Sequence, residues 1–179
     1  MKKKYKFCAF LLAFLFLFSP LKSFADESIA KEGDNVVGVD ANVKSYLIGN
    51  QESGDIFYQK NADKTYPIAS MSKLMTFLLT REAIDSGKIS YESKVKGTKE
   101  AEDLTGPEYS SLGIKKGEEY TIKELITGLI VVSGNDCANL LASKISGSED
   151  EFAKEMNQKA RELNLQSQKY YNASGVNTE

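Results

Sequence analysis

The order of two periodic patterns along the chain constrains its fold more than any other feature of the sequence. Residues 36–39 and 43–48 are rich in β-branched and aromatic residues, and a polar turn at 49–54 leads to a similar run at 55–59. This arrangement predicts a β-hairpin. Helical spacing of apolar residues takes over from about Ser70. Strands followed by a helix-rich stretch are typical of an α+β or α/β fold.

The first predicted helix starts near Ser70 and ends at Ala83 or Ile84, before the stop signal of Gly87. Apolar residues at helical spacing are expected to form its buried stripe and to make the helix central in the fold. The residues of that stripe are Met71, Leu74, Phe77 and Leu78. Residues 88–120 are polar and contain several glycines, which predicts short strands and loops.

Two capping boxes, at residues 121–124 and 148–151, predict the starts of further helices. The first of these helices is expected to run through Ile130, and helix is expected to resume over residues 136–145 after an interruption at 133–135. The residues expected to face the core are Ala138, Leu141 and Ala142 of the resumed helix, and Phe152, Met156, Ala160 and Leu163 of the last one.

The N-terminus has the features of a secretory signal. Lysines at positions 2, 3, 4 and 6 precede an apolar run over residues 7–18, and the small residues Ser23 and Ala25 predict cleavage after Ala25. An apolar run of about a dozen residues is short of the roughly 20 that span a bilayer, which favours a cleaved signal over a retained anchor. We therefore expect an exported protein, with residues 1–25 as signal peptide and 26–35 as a flexible leader.

Removal of residues 1–25 leaves 154 residues, enough for one domain with a sizeable core. Residues 1–25 contain five lysines and no acidic residue, so the rest of the chain has 18 basic and 25 acidic residues. This net charge of −7 argues against nucleic-acid binding. Cys137 is the only cysteine left, which excludes an intrachain disulfide and is interpreted as a buried structural residue. Without histidine or clustered cysteines, no metal site is expected.

The absence of histidine also limits which residue could activate a serine nucleophile. In Ser70-Met71-Ser72-Lys73 a lysine follows a serine by three residues, so both side chains would share one face of a helix. A nucleophile on the first turn would also lie near the positive end of the helix dipole. Taken alone, this S-x-x-K spacing fits an exposed helix face equally well.

A second polar motif, Ser133-Gly134-Asn135, follows an apolar run over residues 129–132. Gly134 is expected to allow a tight bend between two helices. Hydroxyl and amide groups that become buried cost free energy unless something uses them. The alternative is an ordinary helix-to-helix turn in which Ser133 caps the next helix. The S-x-x-K motif about sixty residues upstream favours the catalytic interpretation.

The two motifs in this order resemble the S-x-x-K and S-x-N motifs of the penicillin-binding protein and β-lactamase superfamily. Runs at 61–76, 128–136 and 156–175 are similar to those of the low-molecular-mass penicillin-binding proteins, the serine-type D-Ala-D-Ala carboxypeptidases. The resemblance covers about residues 36–176. It implies an α+β fold, the α/β sandwich of the β-lactamase and transpeptidase type, with residues 36–179 as the N-terminal part of the catalytic domain.

The resemblance also implies a role for each motif residue. Ser70 would attack the carbonyl of the penultimate D-alanine, and Lys73 would accept its proton. Ser133 would relay a proton to the departing D-alanine, and Asn135 would hold a substrate amide or the Lys73 side chain. The Ser70 backbone N–H would be one oxyanion donor. No cofactor is implied.

The partners implied are the peptidoglycan pentapeptide and β-lactam antibiotics as covalent inhibitors. The expected location is the cell wall or the outer face of the cytoplasmic membrane. Association with the membrane surface would depend on a C-terminal segment.

One element of the family pattern is missing: no K-T-G or K-S-G follows Asn135. In the family that strand supplies a cation for the substrate carboxylate and a second oxyanion donor. We therefore expect the 179 residues to be an N-terminal part that lacks the C-terminal strands of the sheet and is inactive by itself.

Three other interpretations stay open. A class A β-lactamase needs E-x-x-L-N, but Ala160 stands where that glutamate would precede Leu163-Asn164. A non-catalytic penicillin-binding or wall-binding module would not require Lys73. The last is an exported α+β domain in which both motifs are coincidental.

Overall fold

A computed structural model describes residues 31–32 and 43–176 of the chain. The chain divides into two compact units between Lys64 and Thr65. The predicted signal peptide, the predicted strand at 36–39 and most of the predicted leader lie outside the described residues. No helix of the described part is both long and apolar enough to cross a bilayer.

The first unit contains a three-stranded sheet. Its strands are β1 (Lys31–Glu32), β2 (Tyr46–Gly49) and β3 (Ile56–Lys60), in the order β1-β3-β2. Strand β3 pairs antiparallel with β2 and parallel with β1. The turn between β2 and β3 is closed by the Asn50 N–H, which donates to the Asp55 carbonyl at 2.8 Å. The predicted hairpin is confirmed, and β1 falls within the predicted leader.

In the second unit, residues 65–176 form five helices and a two-stranded sheet. A 3₁₀ turn, Ala69–Ser72, leads into α1 (Lys73–Asp85), and the others are α2 (Lys99–Asp103), α3 (Ile122–Val131), α4 (Asn135–Ser146) and α5 (Glu149–Glu162). Strands β4 (Lys94–Lys96) and β5 (Glu119–Thr121) pair antiparallel. The short helix α2, which begins after a Thr98 cap, was not predicted from the sequence.

Helix α4 is the centre of this unit. It lies beside α1, α2, α3 and α5, and its apolar residues are almost entirely buried. The predicted inward residues Ala138, Leu141 and Ala142 are all fully buried, which confirms that prediction. Small side chains on a helix let its neighbours approach closely, and this explains why α4 can be surrounded. The helix near Ser70, which was predicted to be central, lies beside α3, α4 and α5.

The predicted buried stripe of α1 was wrong at three of its four residues, and only Leu78 is partly buried against the core. Met71 and Leu74 are 64% and 62% exposed, and Phe77 is exposed as well. The inward face carries Met75, Leu79 and Ala83 together with the polar residues Ser72, Lys73, Thr76 and Thr80. The spacing of apolar residues predicted the wrong inward face of α1, because several inward residues are polar and are buried with hydrogen-bond partners. The Thr76 and Thr80 hydroxyls, for example, donate to backbone carbonyls at 2.6 and 2.7 Å.

The predicted helix starts are confirmed. The Thr121 side chain accepts from the Glu124 N–H, and the Glu124 carboxylate accepts from the Thr121 N–H at 2.8 Å. Ser148 caps α5 by accepting from the Glu151 N–H at 3.2 Å. In α5 three predicted core residues are buried, namely Phe152, Met156 and Ala160. Leu163 is 47% exposed because α5 ends before it, so its predicted core position was wrong.

The segment 170–176 packs against the 3₁₀ turn. Asn157 holds its start through two hydrogen bonds with the Tyr170 backbone. Gly175 has φ +74°, and a Cβ at this position would overlap the Ala69 carbonyl oxygen. Only glycine both adopts this backbone conformation readily and permits so close an approach.

Truncation of Leu141 is expected to destabilise the second unit far more than the same truncation of Leu163. Removing a fully buried leucine leaves a cavity that typically costs about 2–5 kcal/mol. A half-exposed residue beyond a helix end is expected to cost about 0.5 kcal/mol or less. Urea unfolding followed by circular dichroism compares Leu141→Ala with Leu163→Ala. Equal losses would contradict the burial described for α4.

Substitution of Gly175 by alanine is expected to cost more than the same change at Gly147. Both glycines have φ near +80°, but a Cβ at Gly147 would meet nothing within 4 Å. Gly147→Ala should therefore cost only the backbone term of about 1–2 kcal/mol. Gly175→Ala should add about 1–3 kcal/mol of overpacking against Ala69. Urea midpoints of the two variants measure the difference, and a Gly147→Ala loss as large as that of Gly175→Ala would argue against the close approach.

Candidate active site

The structure brings Ser70 and Lys73 into direct contact. The Lys73 Nζ donates to the Ser70 Oγ at 3.1 Å. Ser70 is exposed in the 3₁₀ turn, whereas Lys73, the first residue of α1, is only 4% exposed. The tight turn is closed by the Met71 N–H, which donates to the Ile68 carbonyl at 3.0 Å. An accessible hydroxyl thus lies against a buried amine, as the S-x-x-K spacing predicted.

Lys73 has a second partner that was not predicted from the sequence. Its Nζ donates to the Ser174 carbonyl oxygen at 2.9 Å, across 101 residues of chain. The neighbouring Ala173 carbonyl accepts from the Thr76 hydroxyl at 2.6 Å. Two adjacent carbonyls of the segment 170–176 therefore bind two inward side chains of α1. The run around Ser174 resembles the family, but a contact made by a backbone carbonyl depends on no particular residue type and leaves no signal in the sequence.

Burial sets the protonation chemistry of Lys73. Removal from water disfavours the ammonium form and lowers the pKa of Lys73 below its ordinary value. Within the described residues, no carboxylate lies at salt-bridge distance from its Nζ to oppose this effect. Burial also raises the pKa of the Cys137 thiol, with a further contribution from Asp136, so the thiol is neutral near Lys73 at neutral pH. A larger fraction of Lys73 is then available as a neutral proton acceptor.

The junction between α3 and α4 contains the second motif. Ser133 has φ +57°, whereas Gly134 has φ −59° and is the N-cap residue of α4. The expectation that Gly134 supplies the bend is corrected, because the left-handed conformation falls on Ser133. Gly134 is needed for space, since a Cβ there would lie 2.8 Å from the Asp136 Oδ1 and 3.0 Å from the Cys137 Sγ. The alternative in which Ser133 caps the helix does not fit, since no side chain caps α4.

Asn135 opens α4 and is buried. Its backbone N–H donates to the Ser110 carbonyl at 2.8 Å, but its side-chain Oδ1 is buried without a hydrogen-bond partner among the described residues. An unpaired buried acceptor typically costs about 1–3 kcal/mol. Helix α4 lies beside α1, and Cys137 on its first turn is close enough to Lys73 for electrostatic interaction. The first turn of α4, a helix packed beside α1, therefore carries a buried amide oxygen that no described residue uses.

Asp136 anchors this turn and was missed in the sequence. Its carboxylate is fully buried and accepts hydrogen bonds from four backbone N–H groups at 2.8–3.0 Å. The donors are those of Leu112, Gly113, Ile114 and Cys137. Such a nest satisfies a buried carboxylate without a cation. The available signal was an acidic residue directly after the motif, next to a corner that was expected to be buried.

Cys137 packs into this junction as a small apolar residue. It is fully buried, and a Cβ on Gly128 would lie 2.5 Å from its Sγ. This confirms the prediction that the thiol is buried. In the part of the chain that the structure describes, no three histidine, cysteine, aspartate or glutamate side chains cluster as metal ligands would.

Comparison with known proteins connects this geometry to a family. A family model described as D-alanyl-D-alanine carboxypeptidase matches residues 31–179. The chain is 38% identical over 170 residues to the D-alanyl-D-alanine carboxypeptidase DacF of Bacillus subtilis (strain 168), an alignment that covers 94% of this chain and 43% of DacF. It is 29% identical over 167 residues to DacC of Escherichia coli (strain K12), of which it covers 40%. The chain thus spans less than half the length of these curated relatives.

Solved structures show the same relationship. The D-alanyl-D-alanine carboxypeptidase DacD from Francisella tularensis superposes with a TM-score of 0.74 at 26% identity, covering 89% of this chain and 38% of DacD. Penicillin-binding protein D2 from Listeria monocytogenes, in its cefotaxime-bound form, gives a TM-score of 0.67 at 32% identity, covering 76% and 53%. These likenesses confirm the expected transpeptidase-like fold over the part that the chain covers. With its family model matched from residue 31 to residue 179, the chain belongs to the D-alanyl-D-alanine carboxypeptidase family.

Proposed function

We propose that this chain carries the acyl-transfer centre of an exported serine peptidase that removes the terminal D-alanine from peptidoglycan stem peptides. The observation that supports it most is the 3.1 Å hydrogen bond between the Lys73 Nζ and the exposed Ser70 Oγ. Burial lowers the pKa of Lys73, which suits a lysine that must act as a base. The family and the names of its relatives supply the substrate class.

In the proposed reaction, neutral Lys73 takes the hydroxyl proton of Ser70 as the Oγ forms a bond to the penultimate D-alanine carbonyl carbon. The Ser70 backbone N–H is one donor to the oxyanion. The bond from that carbon to the terminal D-alanine nitrogen then breaks, and Ser133 relays a proton to this nitrogen. Water hydrolyses the Ser70 ester, which releases the shortened peptide and restores the hydroxyl.

Asn135 is proposed to hold a substrate amide or the Lys73 side chain. Its unpaired Oδ1 is an acceptor for either an amide N–H or an amine N–H. A group of this kind is costly in a buried position unless a ligand or a neighbouring side chain uses it. This supports a binding role over a purely structural one.

A β-lactam would acylate the same serine. The Ser70 Oγ would bond to the lactam carbonyl carbon as the ring C–N bond opens, so the leaving nitrogen stays attached to the acyl group. The cefotaxime-bound form of the Listeria relative supports this part of the proposal. The proposed location is extracytoplasmic, at the cell wall or the outer face of the cytoplasmic membrane, where peptidoglycan is found.

The β-lactamase alternative is weaker. Ala160, at the position where a deacylating glutamate would be needed, is buried in α5. The nearby Glu162 is exposed and pairs with Lys159 at 2.9 Å. Ala160 has no group that could activate a water molecule, and the Glu162 carboxylate is paired with Lys159.

Acylation by penicillin is expected to require Ser70. A fluorescent penicillin should label the product of the complete reading frame, and Ser70→Ala should abolish the band, while Ser90→Ala, a change at an exposed serine, should retain it. Within the 179 residues no K-T-G follows Asn135, and loss of one oxyanion donor costs about 10²–10³ in turnover. The 179-residue chain should therefore label at least that much more slowly.

Two results would count against this proposal. An unlabelled product of the complete reading frame would overturn the acyl-transfer assignment. Equal labelling of the 179-residue chain would overturn the expectation that this chain is inactive by itself. Release of D-alanine from a diacylated lysyl-D-Ala-D-Ala tripeptide checks the peptidase activity in the same preparations.

Acylation is also expected to depend on the neutral form of Lys73. Because burial lowers the pKa of Lys73, the rate should rise with pH and level off at a lower pH than an ordinary lysine would give. Lys73→Arg keeps a cation that stays protonated and should lose about 10²–10⁴ in rate. Lys144→Arg, at an exposed position of α4, is the matched control. A rate that Lys73→Arg leaves unchanged at all pH values would exclude Lys73 as the base.

A further inference from the structure

The position of the Lys73 amine depends on a backbone carbonyl that is far away in sequence. Its Nζ donates to the Ser174 carbonyl at 2.9 Å and to the Ser70 Oγ at 3.1 Å. A neutral amine has two N–H groups and one lone pair. When one N–H is given to the Ser174 carbonyl, the amine cannot rotate freely and its lone pair can face the serine hydroxyl. Whatever fixes the Ser174 carbonyl therefore fixes the proton acceptor.

Asn172 is the side chain that shapes the turn containing this carbonyl. Its Oδ1 accepts from the Gly175 N–H at 2.7 Å, and from the N–H and the hydroxyl of Ser174, both at 3.2 Å. Its Nδ2 donates to the Val176 carbonyl at 2.6 Å. Side-chain oxygens of asparagine commonly stabilise turns by accepting from the backbone two or three residues ahead. Asn172 therefore binds both sides of the peptide group whose oxygen contacts Lys73.

The rest of the segment cannot replace Asn172 in this role. Asn157 holds the Tyr170 backbone, and the Glu149 carboxylate accepts from the Ala173 N–H at 3.2 Å. Both contacts come before the Ser174 peptide. After it, the Val176 N–H donates to the Ser174 Oγ at 3.3 Å, a bond internal to the turn, whereas the Gly175 N–H donates to Asn172 at 2.7 Å. Glycine has wide backbone freedom, so this bond limits the conformations open to the turn.

We propose that Asn172 is a positioning residue for Lys73: its amide fixes the turn that presents the Ser174 carbonyl to the lysine Nζ. The hydrogen bonds of Asn172 go to Ser174, Gly175 and Val176, so it acts on Lys73 through the Ser174 carbonyl. The proposal deepens the acyl-transfer function and rests on it for its catalytic consequence. The effect on the Lys73 amine itself does not depend on that function.

The effect on Lys73 is measured by trace acetylation with isotopically labelled acetic anhydride at one fixed pH. Mass spectrometry gives the modification of Lys73 relative to exposed Lys144 in the product of the complete reading frame. In Asn172→Ala the amine loses its fixed acceptor, and Lys73 acetylation should rise about tenfold, the equivalent of one lost hydrogen bond. Asn172→Asp keeps the acceptor oxygen for the Gly175 N–H but loses the Nδ2 donor to the Val176 carbonyl, so its acetylation should rise by no more than about threefold. Asn172→Leu, similar in size without an acceptor, should behave like alanine.

Asn157→Ala is the matched control, because it removes an asparagine that holds the same segment at Tyr170. A merely structural role for Asn172 would give the same Lys73 acetylation in Asn157→Ala and Asn172→Ala, or no rescue by Asn172→Asp. Either result overturns the proposal. If circular dichroism shows that Asn172→Ala is unfolded, Asn172→Ser takes its place in the test. Its hydroxyl is an acceptor on a shorter side chain, so Lys73 acetylation should rise by an intermediate amount.

Penicillin acylation of the same variants separates this proposal from the proposed function. The positioning role predicts slower Ser70 labelling in Asn172→Ala and recovery in Asn172→Asp. Suppose that penicillin labels neither the original protein nor any variant, but Lys73 acetylation follows the expected order. The acyl-transfer function is then wrong, and the positioning role stands. If penicillin labels all variants equally and Lys73 acetylation does not change, the positioning role fails alone.

Discussion

The burial of the Lys73 amine is the constraint on which the rest of this site depends. A lysine removed from water needs hydrogen-bond acceptors, and here they are a hydroxyl three residues before it and a carbonyl 101 residues after it. The local acceptor follows from helix geometry, but the distant one exists only when the segment 170–176 packs against the 3₁₀ turn. The Lys73 amine therefore obtains both of its acceptors only when the second unit folds.

Features set by short-range interactions could be predicted from the sequence. The hairpin, the capping box at Thr121 and the Ser70–Lys73 pair each depend on residues a few positions apart, so residue types and spacing suffice. The order of strand and helix patterns likewise gave the fold class, because it reflects the local period of each segment. The family resemblance then extended these local features to a whole architecture.

Features set by distant packing could not be predicted in this way. The inward face of α1 was misassigned because hydrophobic spacing cannot anticipate that the Thr76 hydroxyl donates to the Ala173 carbonyl, 97 residues away. The Ser174 carbonyl contact and the amide nest around Asp136 involve backbone groups, which every residue carries. Such contacts become visible only when the chain is folded, since residue identity does not specify them.

Strained backbone conformations occur at both candidate catalytic motifs. Four described non-glycine residues have positive φ, and two of them, Asn61 and Asn164, are of the type that tolerates this conformation. The other two are Ala69, directly before the candidate nucleophile, and Ser133, the first residue of the second motif. Each left-handed residue of this kind costs about 1–2 kcal/mol, which packing elsewhere must offset. Gly175 approaches Ala69 closely, and the apolar residues of α4, which follows Ser133, are buried in the core. This packing holds both motifs in backbone conformations that their local sequences do not favour.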